Sequence, residues 1–255
     1  CFFKTNLYSH SRIAFSRPGV FIRTPSSLIQ KTNKYYIGLS TEIINLDNKI
    51  SSKSIHFKAT SANGFEYGIA YSQRAKTSTL VEMPQADFSF HFNKEVYSNN
   101  NFIINVGIQD ILYHSQGDNQ VSAFLSLINK NINLGNQYKL QSAVGFGTGK
   151  INSDSYDYDS GIAQAPDFFA GLKIYTPLFK KFGGLKILAD YDGAGVNIAA
   201  GLAPTENIYL KLGITHFENI VKFNTLKNKT TETIYDNSPG LSIGLDFTIP
   251  TKDQN

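Results

Sequence analysis

The stretch "ILADYDGAGVNIAAGLAPTENIYLKLGITHF", residues 187–217, alternates apolar and polar side chains and pauses at DGAG. It alternates again, pauses at APTEN, and alternates once more. In an extended chain successive side chains point to opposite faces. Leu210, Leu212 and Ile214 therefore share one face, and Lys211, Gly213 and Thr215 the other. Two faces of such different chemistry need two different surroundings, and the rest of the sequence has to say which.

The same pattern recurs through most of the 255 residues. Alternating segments bounded by turn residues fall at about 35–45, 54–62, 65–72, 86–94, 101–114, 120–130, 137–148, 167–178, 184–192, 195–203, 207–217 and 238–249. That is an even set of about twelve strands. Helical periodicity is nearly absent; residues 79–83 are the one candidate helical turn, which Pro84 would end. Charged residues make up 17% of the chain, below the usual share of about 25%. Asn, Ser, Thr, Gly and Tyr take their place. The net charge of +4 is modest and the basic residues are scattered, so nucleic acid is not an expected partner.

The apolar face is free of charge along every segment, as in Phe88, Phe90 and Phe92 or Ile208, Leu210, Leu212 and Ile214. Twelve strands enclose too wide a space for such a face to fill. A two-sheet sandwich can bury any number of strands, but gives no reason for loop lengths to sort by parity. Here they do sort. Short connections at 61–64, 95–100, 129–136, 179–184 and 203–207 alternate with a set that contains the long ones at 46–53, 73–85, 149–166 and 218–237. Short turns at one end and long loops at the other mark an outer-membrane barrel. The expectation is an all-β, transmembrane, antiparallel up-and-down barrel in the bacterial outer membrane. Residues 34–250 form it, after a periplasmic or plug-like segment at 1–33 and before a polar tail at 251–255. Lipid is the outer solvent and water the inner one. Tyr35, Tyr67, Tyr71, Tyr191 and Phe247 supply the interfacial girdle in a chain without Trp.

The lumenal face then carries Glu42, Lys58, Glu66, Asp87, His91, Lys139, Lys173, Lys186, Asp190, Asp192, Lys211 and Asp246, with His56 among them. Mixed charge of this kind cross-links a barrel wall. It also suits a polar conduit, with Tyr36, Tyr175 and Tyr209 available to stack on sugar rings. In DYDG, Asp190 and Asp192 share the lumenal face near Lys186 and Asn197, while Tyr191 points outward. Gly193 and Gly195 are expected at positive φ. The motif reads first as a hairpin-forming and wall-pairing device.

Three other stretches invite chemistry and fall short of it. His114 and Ser115 are adjacent, so in a continuing strand they point apart, and a lipase pair fails on geometry. Asp154, Asp157 and Asp159 lack calcium-loop spacing and read as a solvated loop. Five histidines with a single cysteine show no zinc spacing, so no metal or cofactor is expected. Cys1 is a candidate for acylation, and an arbitrary start is the simpler reading.

Two segments resemble a known family. "GVFIRTPSS", residues 19–27, is similar to the G-x-x-x-T-P-S-A opening of YjbH-type outer-membrane proteins through Thr24, Pro25 and Ser26. "LADYDGAGVNIAAGLAP" is similar to that family's E/D-Y-D-G…N-x-G hairpin through Asp190, Tyr191, Asp192, Gly193 and Asn197, with the next glycine displaced by one or two positions. The resemblance covers about a tenth of the chain. It implies a non-enzymatic barrel that assists export or assembly of a surface exopolysaccharide, with polysaccharide and periplasmic export components as partners. A general small-solute porin or structural barrel is the alternative, and a lipase the weaker one.

Overall fold

A computed structural model of the chain describes residues 13–25, 28–44, 50–73, 86–112, 121–148, 167–193, 195–220 and 239–250. Twelve antiparallel strands close into one barrel: β1 (Lys34–Ile44), β2 (Ile50–Thr60), β3 (Phe65–Gln73), β4 (Ala86–Ser98), β5 (Phe102–Leu112), β6 (Ser122–Gly135), β7 (Tyr138–Gly147), β8 (Asp167–Tyr175), β9 (Lys186–Tyr191), β10 (Val196–Thr205), β11 (Ile208–Thr215) and β12 (Gly240–Ile249). Each strand pairs with its neighbours in sequence. β1 closes the circle on β12 over a register running from Tyr35 opposite Ile249 to Ile44 opposite Gly240. Closure removes the unpaired edges that an open sheet would present.

The outer face is apolar and exposed. Leu212 is 58% exposed and Phe146 56%, and Tyr35, Phe57, Tyr67, Phe90 and Ile243 are each at least 40% exposed. A water-soluble protein does not display a continuous belt of this size; acyl chains are the solvent that accepts it. The described residues include no helix long and apolar enough to cross a membrane. The strands make the crossing, and the protein is an outer-membrane barrel. Aromatic pairs tie neighbouring strands on the lipid side, with ring centroids 5.4 Å apart for Phe65 and Phe92 and 5.8 Å for Phe146 and Phe168. Tyr35, Tyr67, Tyr71 and Tyr191 all face outward, as the girdle requires.

Connections at 61–64, 99–101, 136–137, 176–185 and 206–207 lie at the end of the barrel where β1 begins. By the loop-length rule that end is periplasmic. Four of these connections differ from the sequence pattern; in two of them the turn is only shortened, because β4 runs on to Ser98 and β10 to Thr205. The Asn-rich run 129–136 reads as a loop because Asn is disfavoured in strands. It instead continues β6 against β7, absorbing register shifts between Asn129 and Ile132 and between Asn133 and Gly135. The chain then reverses at residues 136–137. In the other direction, β8 stops at Tyr175, before Pro177, where the sequence pattern runs to 178. The candidate helical turn at 79–83, Cys1, the His114–Ser115 pair, the Asp154–Asp159 loop and the tail at 251–255 lie outside the described residues.

Candidate functional site

The lumen holds a piece of the chain itself. Residues 13–25 are almost wholly buried, with Ala14, Phe15, Phe21, Ile22, Arg23 and Thr24 each no more than 2% exposed. The segment folds back on itself through the Phe15 amide donating to the Ile22 carbonyl at 2.8 Å and Phe21 to Thr24 at 3.0 Å. Inward-facing glycines make room for it. A Cβ at Gly244 would stand 2.9 Å from the Phe15 ring, and one at Gly213 3.1 Å from it. Further round the wall, on β3, Pro18 packs on Gly68. An apolar patch on the inner wall, formed by Ile103, Ile128, Ala143, Leu188 and Ala199, receives Phe21 and Ile22.

Two polar anchors hold this insert at the extracellular half of the lumen. The first is built on DYDG. Asp190, 3% exposed, accepts the backbone amides of Ile22, Arg23 and Thr24 on Oδ2 at 3.0, 2.8 and 3.0 Å, and the Thr24 hydroxyl at 3.1 Å. Its Oδ1 accepts the Asn197 amide at 2.8 Å. Arg23 donates to Glu42 Oε1 at 2.7 Å and lies 3.5 Å from Asp192 Oδ2. Its other contact, 3.0 Å to His216 Nε2, fixes a tautomer: arginine only donates, so Nε2 carries the lone pair and the ring hydrogen sits on Nδ1, towards Glu218. Burial, and then the Arg23 guanidinium, push the His216 imidazole below its ordinary pKa. Burial works against a charged Asp192, but Arg23, His216 and the hydrogen bonds from Gly195 and Asn197 together outweigh it and hold that carboxyl below the usual carboxylate range.

The second anchor is a bulge. In β5, Gln109 and Asp110 both turn inward and together face the single His91 of β4, where the register shifts. Asp110 takes φ 59 to do so, a conformation that costs energy in a non-glycine residue. The bulge aims its carboxylate at Arg17 Nε, 2.5 Å away, and at the Ser122 hydroxyl at 3.1 Å. Bulges re-aim side chains in this manner next to functional sites.

Asp190 pairs on the wall with Asn197 as expected, but not with Lys186 among the described contacts, and its other partners are the backbone and the Thr24 hydroxyl of the insert. Gly193 has the expected positive φ, 93°, but Gly195 does not. Gly195 is small for another reason, since a Cβ there would run into His216 and Glu218. Tyr191 points outward at 41% exposure. Thr24 and Pro25 are buried in the insert, while Ser26 lies outside the described residues, as does the side chain of Asp87.

The remaining predicted lumenal charges collect nearer the periplasmic end. Lys58 sits 3.3 Å from Glu66 and Lys211 2.7 Å from Asp246, which also has His56 at 4.0 Å. Lys173 and Lys186 flank Tyr175, and Lys186 lies 4.4 Å from the Tyr209 ring. His91 is tied to Ser89 at 2.9 Å, away from this group. Lys139 is exposed at the rim, opposite Tyr175 in register. Sequence reasoning missed Arg17, Arg23 and Asp110. The consecutive polar pair QD inside an otherwise alternating β5 was the available signal for the bulge.

Comparison with known proteins speaks to the architecture. No protein-family model matches the sequence, and no curated protein matches it. Among solved structures, the KdgM porin in complex with disordered oligogalacturonate is similar over 84% of this chain and 99% of its own, with TM-score 0.50 and 9% identity. The fold is porin-like. A second KdgM porin structure matches at 10% identity with the same coverage and TM-score. The NanC porin matches over 83% of this chain and 98% of its own, at 9% identity and TM-score 0.50. At such identities the likeness is one of fold alone.

Proposed function

We propose that this porin-like barrel is a non-enzymatic conduit for hydrophilic solutes of the saccharide class, closed by its own residues 13–25. The observation that carries the reading is the insert's attachment: Arg23 and the Asp190 carboxylate fix it across the lumen. The tyrosines and lysines beneath it give a hydrated, sugar-compatible wall. The similar KdgM porin, in complex with disordered oligogalacturonate, points to the same solute class. Planar-bilayer conductance tests this. The parent barrel should be silent, and Arg23→Ala, which leaves the buried Glu42 carboxylate without its cation, should open stepwise conductance. A barrel that conducts fully with Arg23 in place, or stays silent when the insert is released, would refute it.

A second reading has its own observation. The two stretches that resemble YjbH-type proteins lie more than 160 residues apart, yet Thr24 and Asp190 are hydrogen-bonded. Motifs that meet in space support a shared role, and so support a barrel assisting surface-exopolysaccharide export or assembly with periplasmic export components. Deleting the gene separates the two. Loss of surface polysaccharide favours export, whereas loss of oligosaccharide permeation with normal polysaccharide favours the conduit.

A further inference from the structure

We propose that the periplasmic half of the lumen is a binding site for acidic saccharides, the carboxylate of a uronic-acid-type sugar lying between Lys173 and Lys186. This rests on the saccharide-conduit reading and names its substrate class.

Among the described residues, Lys58, Lys173, Lys186 and Lys211 reach into this half of the barrel, and they are not equivalent. Lys58 and Lys211 have carboxylate partners in Glu66 and Asp246. Lys173 and Lys186 have none among the described residues, and their recorded contacts are with aromatic rings. Register explains the pairing of the two. Tyr175 on β8 faces Lys186 on β9, and Lys173 lies two residues earlier on the same face. Their ammonium groups stand 5.7 and 6.0 Å from the centroid of the one Tyr175 ring. Two like charges held at one ring, partly shielded from water, repel each other. An arriving carboxylate removes that repulsion and takes charge-assisted hydrogen bonds from both.

The rings supply the other half of the recognition. Tyr175 and Tyr209 stand on either side of Lys186, at 6.0 and 4.4 Å. A ring of this kind presents a flat apolar face to the C–H face of a pyranose and a hydroxyl to its oxygens. The Tyr209 hydroxyl is folded over Gly201 and buried, with no hydrogen-bond partner among the described residues, so it is the ring that Tyr209 offers to a sugar. Charge alone would attract any anion; charge beside stacked rings selects an acidic sugar.

Isothermal titration of the full chain in detergent, with a uronic-acid oligomer and a glucose oligomer of equal length, tests the site. The uronic-acid oligomer should bind about tenfold or more tightly, the scale of one charge-assisted hydrogen bond. Lys173→Gln with Lys186→Gln should erase that preference, and Tyr209→Ala should weaken both oligomers. Lys139→Gln, at the exposed rim, should change neither. Unaltered heat-modifiable mobility in gels establishes that each variant still folds. Equal binding of the two oligomers, or a preference that survives the double substitution, overturns the proposal. So does displacement of the oligomer by inorganic phosphate as readily as by a monomeric uronic acid, which would mean simple anion capture. Conductance of Arg23→Ala is read separately. An opened pore without acidic-sugar preference sinks this inference and leaves the conduit standing, and binding without any opened pore does the reverse.

Discussion

Replacing Asp190 by Ala removes one carboxylate that accepts three successive backbone amides from the insert. All three donors belong to buried residues. A buried donor left without an acceptor costs about 1–3 kcal/mol. Three would give roughly 3–9 kcal/mol if nothing relaxed. Water entering from the extracellular side will recover part of this, so about 3–5 kcal/mol against the seated insert is expected. At about 1.4 kcal/mol per factor of ten, the closed state loses a hundredfold to several-thousandfold in population. The barrel strands keep their pairing, because Asp190 contributes no side chain to the lipid face. Trypsin reads the result. Cleavage after Arg23, 2% exposed in the seated insert, should be negligible in the parent protein and rapid in Asp190→Ala. Mass spectrometry locates the cut. If Asp190→Ala forms a barrel of normal heat-modifiable mobility and Arg23 stays protected, the anchoring argument is wrong.

Acidification should act on the same cluster. The His216 pKa is lowered in the fold, so its contribution is complete above the free imidazole value of about 6.5 and is lost as pH falls through the folded value. The lowered Asp192 carboxyl adds a second loss in more acid solution, below about 3.9. Conductance events in the parent barrel should therefore become more frequent as pH drops, and His216→Gln should flatten the first part of that dependence. Gly244→Leu would place its side chain against Phe15 and Lys211; overpacking by about 1–3 kcal/mol should expel the insert, seen as trypsin cleavage after Arg23. Leu212→Lys puts a charge in the lipid belt and should cost about 2–4 kcal/mol of barrel stability by urea unfolding in vesicles, with no effect on the insert's protection.

The strands were readable because lipid and water impose opposite demands on alternate residues. Leu210-Lys211-Leu212 has one assignment that works, and all twelve strands follow from the same test. The insert was not readable by that rule. Ile103, Ile128 and Leu188 are apolar residues on the inner face, where the pattern called for polar ones, and they mark where Phe21 and Ile22 pack. Taken singly, each looked like an ordinary lapse in alternation. DYDG showed two carboxylates on the inner wall, but nothing local says that the partner of Asp190 is an amide run 166 to 168 residues earlier. Long-range partners of this sort carry no spacing signal. The aromatic and basic lumen was visible as a composition, and the register of β8 on β9 was needed to sort its paired lysines from its unpaired ones.

The glycines and carboxylates that receive residues 13–25 come from both ends of the chain: Glu42 on β1, Gly68 on β3, Asp110 on β5, Asp190 on β9 and Gly244 on β12. Its bonds to the far wall span 166 to 193 residues of sequence. Contacts that distant are slow to form, because the closure entropy is lost before the contacts reward it. The complete receptor for the insert exists only after β12 has met β1, which makes full seating a late event of assembly. A nascent barrel passes through a stage with a wet, hollow interior and an unoccupied apolar patch on its wall. Resistance of Arg23 to protease is thus a timer for completed closure, and a strand-pairing defect anywhere in the circle is registered there, far from where it arose.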